Sequence, residues 1–191
     1  AEAVAGLTAA INSFNSTGIT SSEVLNKLSA AAKSAAVSER DLIEAVKRSG
    51  AVAIQAGVEF DELVGVVSAV QEKTARGGAV IGNSFKTIFT RLQSLEKLKT
   101  MRDLGVQVTD TSGAVLSATQ LIENLGKTLK TLPSAERLQI AEGLVGKFQV
   151  APFLAILEDM SQETSRFAQI TKIAGTATDE AYTRNIALNK T

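Results

Sequence analysis

Apolar residues recur along this chain at steps of three and four, interrupted by short polar or glycine-bearing stretches, and that pattern predicts a succession of short amphipathic helices. Val4, Leu7, Ile11 and Phe14 mark one face of a first helix over 2–15, which the Asn15-Ser-Thr-Gly18 stretch ends. Thr20-Ser-Ser-Glu23 has the form of a capping box, in which the hydroxyl takes an early backbone N–H and the carboxylate reaches back; Val24, Leu28 and Ala31 carry the stripe onward. Ser38 to Asp41 forms a looser start for a helix through Arg48, with Leu42, Ile43 and Val46 inward, before Gly50 and Gly57 punctuate a short apolar segment. Phe60, Leu63, Val67 and Val70 define a further helix that begins in acids and ends in basic residues and a glycine pair, as the helix dipole favours.

The clearest periodicity follows. Ile81, Phe85, Ile88, Leu92 and Leu95 alternate steps of four and three, the seam of a helix lying against its partners at a shallow angle. The pattern predicts a helix to about Ser94 and a short one over 95–104. Ile122, Leu125, Leu129 and Leu132 repeat the spacing after a second capping box, Ser117-Ala-Thr-Gln120, until Pro133 stops the run. These two sets are candidate packing or oligomer seams. Between them the period falls to two, with Val106 and Val108 alternating with polar residues, a turn through Asp110 to Gly113, and a return over 114–116, which predicts a small β-hairpin near residues 106–116. Further on, Ser134 is placed to cap a helix carrying Leu138, Ala141, Leu144 and Val145 inward to Gly146. Residues 148–160 form a short apolar helix in which Pro152 is tolerable only in the first turn. Ser161 caps a helix ended by Gly175, and Thr178 opens a last one with a polar face. The expected fold class is all-α, a compact multi-helix domain of short amphipathic helices with one small hairpin.

Composition sharpens this picture. Aromatics are only 4% of the 191 residues, so the core is built from small and aliphatic side chains, which favours helix on helix. Twenty basic and twenty acidic residues cancel, leaving no global field to draw the chain to nucleic acid or anionic lipid. The absence of cysteine and histidine removes disulfides, thiol nucleophiles, zinc sites with nitrogen or sulfur ligands and every histidine-based triad. No apolar run approaches the ~18 residues of a membrane span, so no membrane contact is expected of this segment. The opening lacks an initiator Met and a basic leader, and reads as a piece of a longer chain. No low-complexity linker or internal repeat divides it. The expected organisation is one module over 1–191, helical over 1–104, with the hairpin at 105–116 and a second helical part over 117–191.

Several patterns invite a chemical reading. Gly77-x-x-x-x-Gly82-Asn83-Ser84 falls one residue short of the phosphate-cradling loop, but Asn83 stands where the lysine belongs and the preceding segment is helical, not a strand. A turn between two helices explains it better, with Gly77 and Gly78 reversing the chain and Gly82 permitting close helix approach. Ser94-x-x-Lys97 matches an acyl-transfer pair, yet neither companion motif is present and the surroundings are charged and helical. Asp61-Glu62, Glu158-Asp159 and Asp179-Glu180 are adjacent acids, two of the three at expected helix starts where negative charge is stabilising on its own account. Lys86, Arg91, Lys97, Lys99 and Arg102 make a local basic excess that could meet phosphate; without stacking aromatics, a solvated helix face outweighs it. The residues thus point to no catalytic, cofactor-binding or metal site.

The order of these elements resembles the core region of phage tail tape-measure proteins. The resemblance rests on Leu42 with Ala45 and Lys47, the small-residue run Ala51 to Ala56, Gly57-Val58 with Asp61-Glu62, Gly77-Gly78, and Phe85 to Leu92 ending in Arg91-Leu92. It continues through 104–129 ("LGVQVTDTSGAVLSATQLIENLGKTL") and 132–157, covering roughly residues 5–175, with Asn83 and Val145 departing from the family's usual small residue and Phe. It implies a non-enzymatic structural module of the ruler that sets tail length as the tube polymerises around it. The implied partners are copies of itself, the tail tube protein, tail assembly chaperones and tail-tip or baseplate proteins. The implied location is the virion tail, assembled in the bacterial host cytoplasm. A cell-wall hydrolase-associated tail domain and a helical bacterial adaptor or signalling module are the alternatives.

One expectation concerns the loop alone. Asn83→Lys, which completes the phosphate-loop motif on paper, creates no affinity for ATP in isothermal titration, because the strand that such a loop requires is missing.

Overall fold

The computed structural model describes residues 17–188 together with Thr8, Ala9, Ile11, Asn12 and Phe14, with side chains described as far as Ala177. Among the described residues nine α-helices of seven or more residues follow one another: α1 Ser21–Ala35, α2 Glu39–Gln55, α3 Phe60–Thr74, α4 Gly78–Leu92, α5 Leu95–Asp103, α6 Ala118–Leu129, α7 Ser134–Val145, α8 Val150–Met160 and α9 Arg166–Leu188. Val4 and Leu7 of the expected first helix lie outside the described residues, while Phe14 is fully buried with its ring edge-on to Phe60 at 5.1 Å between centroids.

Local chemistry starts most of these helices. Thr20 closes a capping box with Glu23, whose carboxylate accepts from the Thr20 N–H at 2.7 Å. Ser117 and Gln120 do the same for α6, and the Ser38 and Ser94 hydroxyls accept from the third residue of α2 and α5. Two helices stop on alanine in the left-handed region, Ala36 after α1 at φ 51° and Ala75 after α3 at φ 52°. Each donates its N–H back into the last turn.

α3 is the central element. Its buried residues include every position from Leu63 to Gln71, the all-round burial of a helix with neighbours on each side. α1, α2, α4, α8 and α9 pack around it, while α6 and α7 join through α8 and α4. The buried side chains form one connected cluster that runs from Phe14 to Ala174. A lysine ties the last helix to the first: Lys27 of α1 donates to both Asp61 carboxylate oxygens at 2.7 and 2.9 Å and to the Ala174 carbonyl of α9 at 3.1 Å. All three ammonium donors are thereby matched, which is the condition for holding a charge inside.

The structure corrects several expectations. α2 does not end near Arg48 but continues through Gly50 to Gln55, where Ala56 and the positive-φ Gly57 stop it. Pro133, not Ser134, holds the cap position of α7, and Leu138 is 45% exposed on its outer face. Ser161 closes α8 instead of opening α9. The start of α9 is organised by Asp159, whose carboxylate accepts from the N–H groups of Arg166 and Phe167, each at 2.9 Å. α9 then runs unbroken through Gly175 and Thr178.

The hairpin is absent as well: no strand occurs among the described residues, and 106–116 is a turn with a single antiparallel bridge between Thr109 and Val115. Only three residues return before Ser117 caps α6, too few for a ladder and with no third strand to support it. Val106 and Val108 owe their alternation to burial in the helical core, and the turn is held by one carboxylate. Asp110 Oδ1 accepts from the Ser112 N–H, the Ser112 hydroxyl and the Ala114 N–H.

That turn is sensitive to acid. The Ser112 hydroxyl bond, helped by the backbone N–H groups of Ala114, Ser112 and Gly113 and opposed by slight burial, holds the Asp110 carboxyl below its ordinary value. A group depressed in the folded chain contributes its stability above the unfolded pKa of about 3.9 and loses it as pH falls through the folded value. Amide exchange at Ser112 and Ala114 therefore accelerates below pH 4 relative to helix amides, and Asp110→Ala makes it fast already at pH 6.

Candidate functional site

The glycine stretch that resembled a phosphate loop is the point where two helices meet backbone to backbone. A Cβ on Gly82 would stand 2.7 Å from the Ala45 carbonyl oxygen and 2.8 Å from its Cα, and one on Gly78 would overlap the Asp41 carbonyl. Asp41, Ala45 and Ser49, at successive four-residue steps, present small or short side chains on the facing side of α2. The Ser49 hydroxyl turns back onto the Ala45 carbonyl at 2.8 Å, and the Arg48 Cβ, 2.9 Å from where a Cβ on Gly82 would stand, closes the contact on another side. Asp41 fills the electropositive start of α4: its Oδ1 accepts from the Gly78 N–H at 2.9 Å and its Oδ2 from the Gln71 amide at 3.0 Å. An anion at this terminus would compete with the protein's own carboxylate. Beside it a cleft of about 600 Å³ opens between Arg40, Lys47, Gly77 and Val80.

Gly77 and Gly78 do not make the reversal expected of them. Gly77 is extended at φ −66° and Gly78 is already helical, so the left-handed residue of the turn is Ala75. Asn83 sits exposed on the outer side, 3.5 Å from the Arg48 guanidinium.

Of the first seam, Ile81, Phe85, Ile88 and Leu92 are fully buried, and Phe85 stacks at a tilt on Phe89 with centroids 5.5 Å apart. Leu95 leaves the seam: α4 ends at Leu92, Ser94 starts a new axis, and Leu95 becomes the first residue of α5 with 86% of its surface exposed. In the second seam Ile122, Leu125 and Leu129 are buried, and Leu132, in the turn beyond α6, is half-buried against the core. α6 and α8 also approach closely, since a Cβ on Gly126 would lie 2.7 Å from the Leu157 carbonyl oxygen.

The other candidate groups have structural partners. Ser94 donates to the Arg91 carbonyl at 2.8 Å and accepts from the Lys97 N–H, while the Lys97 ammonium pairs with Glu96. Asp61 holds Lys27, Glu62 accepts from the Glu59 N–H and the Thr119 hydroxyl, Glu158 pairs with Lys73, and Asp159 caps α9. The side chains of Asp179 and Glu180 lie outside those described. Among the described residues no group of three acids could hold a metal ion, and no single helix is long and apolar enough to cross a membrane; α7 and α8, bent by 117°, pass that test only as a pair. α8 spends its apolar residues inside the fold, burying Phe153, Ile156, Leu157 and Met160.

The model of the phage-related minor tail protein family matches residues 1–146. The chain belongs to that family. It is a phage tail protein, and the match takes in the α2–α4 contact, both seams and the Asp110 turn. No solved structure matches this tail protein. What sequence reasoning missed in it are contacts between distant residues: Asp41 acting on a helix 37 positions away, Lys27 with Asp61, and Arg91 donating to the Val145 carbonyl at 2.9 Å. Each of these residues has an equally good local reading, so spacing gives no signal for the distant one.

Two glycine substitutions separate packing from propensity in the tail protein. Gly82→Leu overfills the α2–α4 contact and lowers stability by about 1–3 kcal/mol. Gly143→Ala, at a position on α7 with nothing within 4 Å, raises it by about 0.5–1 kcal/mol. Thermal melts followed by circular dichroism should show shifts of opposite sign, about 2–4 °C per kcal/mol for a chain of this size.

Proposed function

We propose that this chain is a structural module of the tape measure, the tail protein whose length sets the length of the tail tube, and that it acts through protein contacts without catalysis. The observation that carries the proposal is the ordered run of motifs from Leu42 to Leu157, most of it inside the span matched by the tail family. Supporting the non-enzymatic reading, the chain has neither histidine nor cysteine, and its adjacent acids with described side chains are engaged in caps and ion pairs.

On this reading the chain carries no cofactor or metal, assembles with copies of itself, and meets the tube protein, assembly chaperones and tail-tip or baseplate proteins in the host cytoplasm. A helical polypeptide rises about 1.5 Å per residue, so length is encoded by simple proportion. Removing a helical stretch of about 40 residues in frame from the parent chain should shorten tails by up to about 60 Å in electron micrographs. Tails of unchanged length would overturn the ruler role, and clearing of peptidoglycan in a zymogram would overturn the non-enzymatic one.

A further inference from the structure

Two stretches of this chain are built alike. α1 and α2 are followed, thirty-nine positions later, by α3 and α4, and three of the four helix boundaries recur at that spacing to the residue: Ser21 and Phe60, Ala35 and Thr74, Glu39 and Gly78. The ends match in chemistry as well. Each first helix opens with a carboxylate reaching back to the cap, Glu23 to the Thr20 N–H and Glu62 to the Glu59 N–H. Each stops on an alanine in the left-handed region, Ala36 at φ 51° and Ala75 at φ 52°. Each second helix then starts from an extended cap two residues on, Ser38 at φ −71° and Gly77 at φ −66°. The short connection of a helical hairpin has few conformations, so equal connections give the two pairs one geometry.

Burial corresponds position by position. The six buried residues of α2, at 42, 45, 46, 49, 50 and 53, each have a buried counterpart thirty-nine positions on, and α4 adds only Gly78 and Gly82. Val24, Lys27, Leu28, Ala31 and Ala32 of α1 correspond in the same way to buried residues of α3. A shared period alone does not align faces when both are counted from the cap. In sequence the likeness is nearly silent: between 20–53 and 59–92 identity survives only at Glu23 and Glu62, Ser29 and Ser68, Ala30 and Ala69, Ala36 and Ala75, and Lys47 and Lys86. The contacts between the pairs join unlike faces. Asp41 meets Gly78, Ala45 meets Gly82 and Lys27 meets Asp61, whereas the counterparts of Gly78, Gly82 and Asp61 in the first pair are Glu39, Ile43 and Ser22. α2 and α4 therefore run in the same direction, and the pairs stack head to tail, an arrangement that does not close on itself.

We infer that α1–α2 and α3–α4 are two copies of one 39-residue stacking hairpin, and that the face of the first copy that receives Gly78 and Gly82 is a docking face for one further hairpin of the same kind. In such arrays the end units are atypical. Here the front of the first hairpin carries Glu39 and Ile43, both half-buried, in place of the two glycines, so no unit can press its backbone there. At the far end Val80, 49% exposed, replaces Asp41, and Arg91 ties α7 on through the Val145 carbonyl. The stack is ended on both sides and lengthens only between its two units. On the ruler reading the hairpin is also the step by which this region lengthens; the test of the repeat does not depend on that reading.

The test inserts a second copy of residues 20–58 between Val58 and Glu59 of the full chain, in two forms. One copy carries Ser21→Phe, Ser22→Asp, Glu39→Gly and Ile43→Gly, which gives it the front of α3–α4, including the ring that meets Phe14, and leaves Lys27, Asp41 and Ala45 on its back. The other copy is unaltered. The expected result for the substituted insert is an unchanged ellipticity per residue, one cooperative thermal transition, and the same number of copies per particle as the original chain in light scattering. The unaltered insert forces Glu39 and Ile43 into the space of two glycines, and should melt about 5–10 °C lower. Equal melting temperatures, a lower one for the substituted insert, or a fall in ellipticity per residue in both forms would overturn the inference. So would amide exchange across the substituted insert as fast as in an unfolded chain.

Discussion

Backbone pressed against backbone where α4 crosses α2 is the contact on which the rest of the arrangement depends. It exists only because positions 78 and 82 carry no side chain and because α2 answers with Ala45 and a Ser49 hydroxyl folded back on its own carbonyl. With the axes this close, Asp41 reaches the first N–H of α4 and the amide of Gln71 on α3, so one carboxylate sets the relation of three helices. α4 then points Ile81, Phe85, Ile88 and Leu92 into the core, and its far end offers Arg91 and Gln93 to the two connections that flank it. A cap supplied by a neighbouring helix couples secondary to tertiary structure: α4 is fully capped only when α2 is already in place.

How much of this was legible in the sequence follows from how far each signal reaches. The caps at Thr20, Ser38, Ser94 and Ser117 were readable because hydroxyl and N–H lie three residues apart. The inward faces of α1 and α4 are readable because burial on one side leaves a period, whereas α3, buried all round, shows the sequence no single face. Gly50 and Gly175 were read as breaks, and both sit inside helices; Gly175 lies beside the Lys27–Asp61 pair, where a Cβ would stand 3.5 Å from the carboxylate. A glycine that ends a helix and one that admits a neighbour look alike in one dimension. Ser161 reads as the cap of α9, yet the N–H groups at its start go to Asp159, several positions upstream across a turn, and to the Ser165 hydroxyl.

The hairpin and Leu95 were lost for related reasons. Alternation at Val106 and Val108 records two side chains dropped into a helical core, a pattern that two residues cannot distinguish from a strand. Leu95 keeps the four-three rhythm of the seam across a break that shows itself only as the Ser94 cap, so rhythm and cap disagree and the cap wins. The tie from Arg91 to the Val145 carbonyl, 54 positions away, left no signal either, because an arginine on the polar side of a helix reads equally well as solvated.

The clasp of Lys27 between Asp61 and the Ala174 carbonyl has a consequence in time. The last of its contacts spans 147 positions, so the groove between α1 and α3 is synthesised early and filled late. Until α9 emerges and docks, that groove presents Lys27, Asp61 and the apolar residues around Gly65 to whatever else is present. Contacts of such separation slow folding, since the chain must close a long loop before it gains their stabilisation. The groove therefore stands open in the nascent protein until α9 has been made and reaches it.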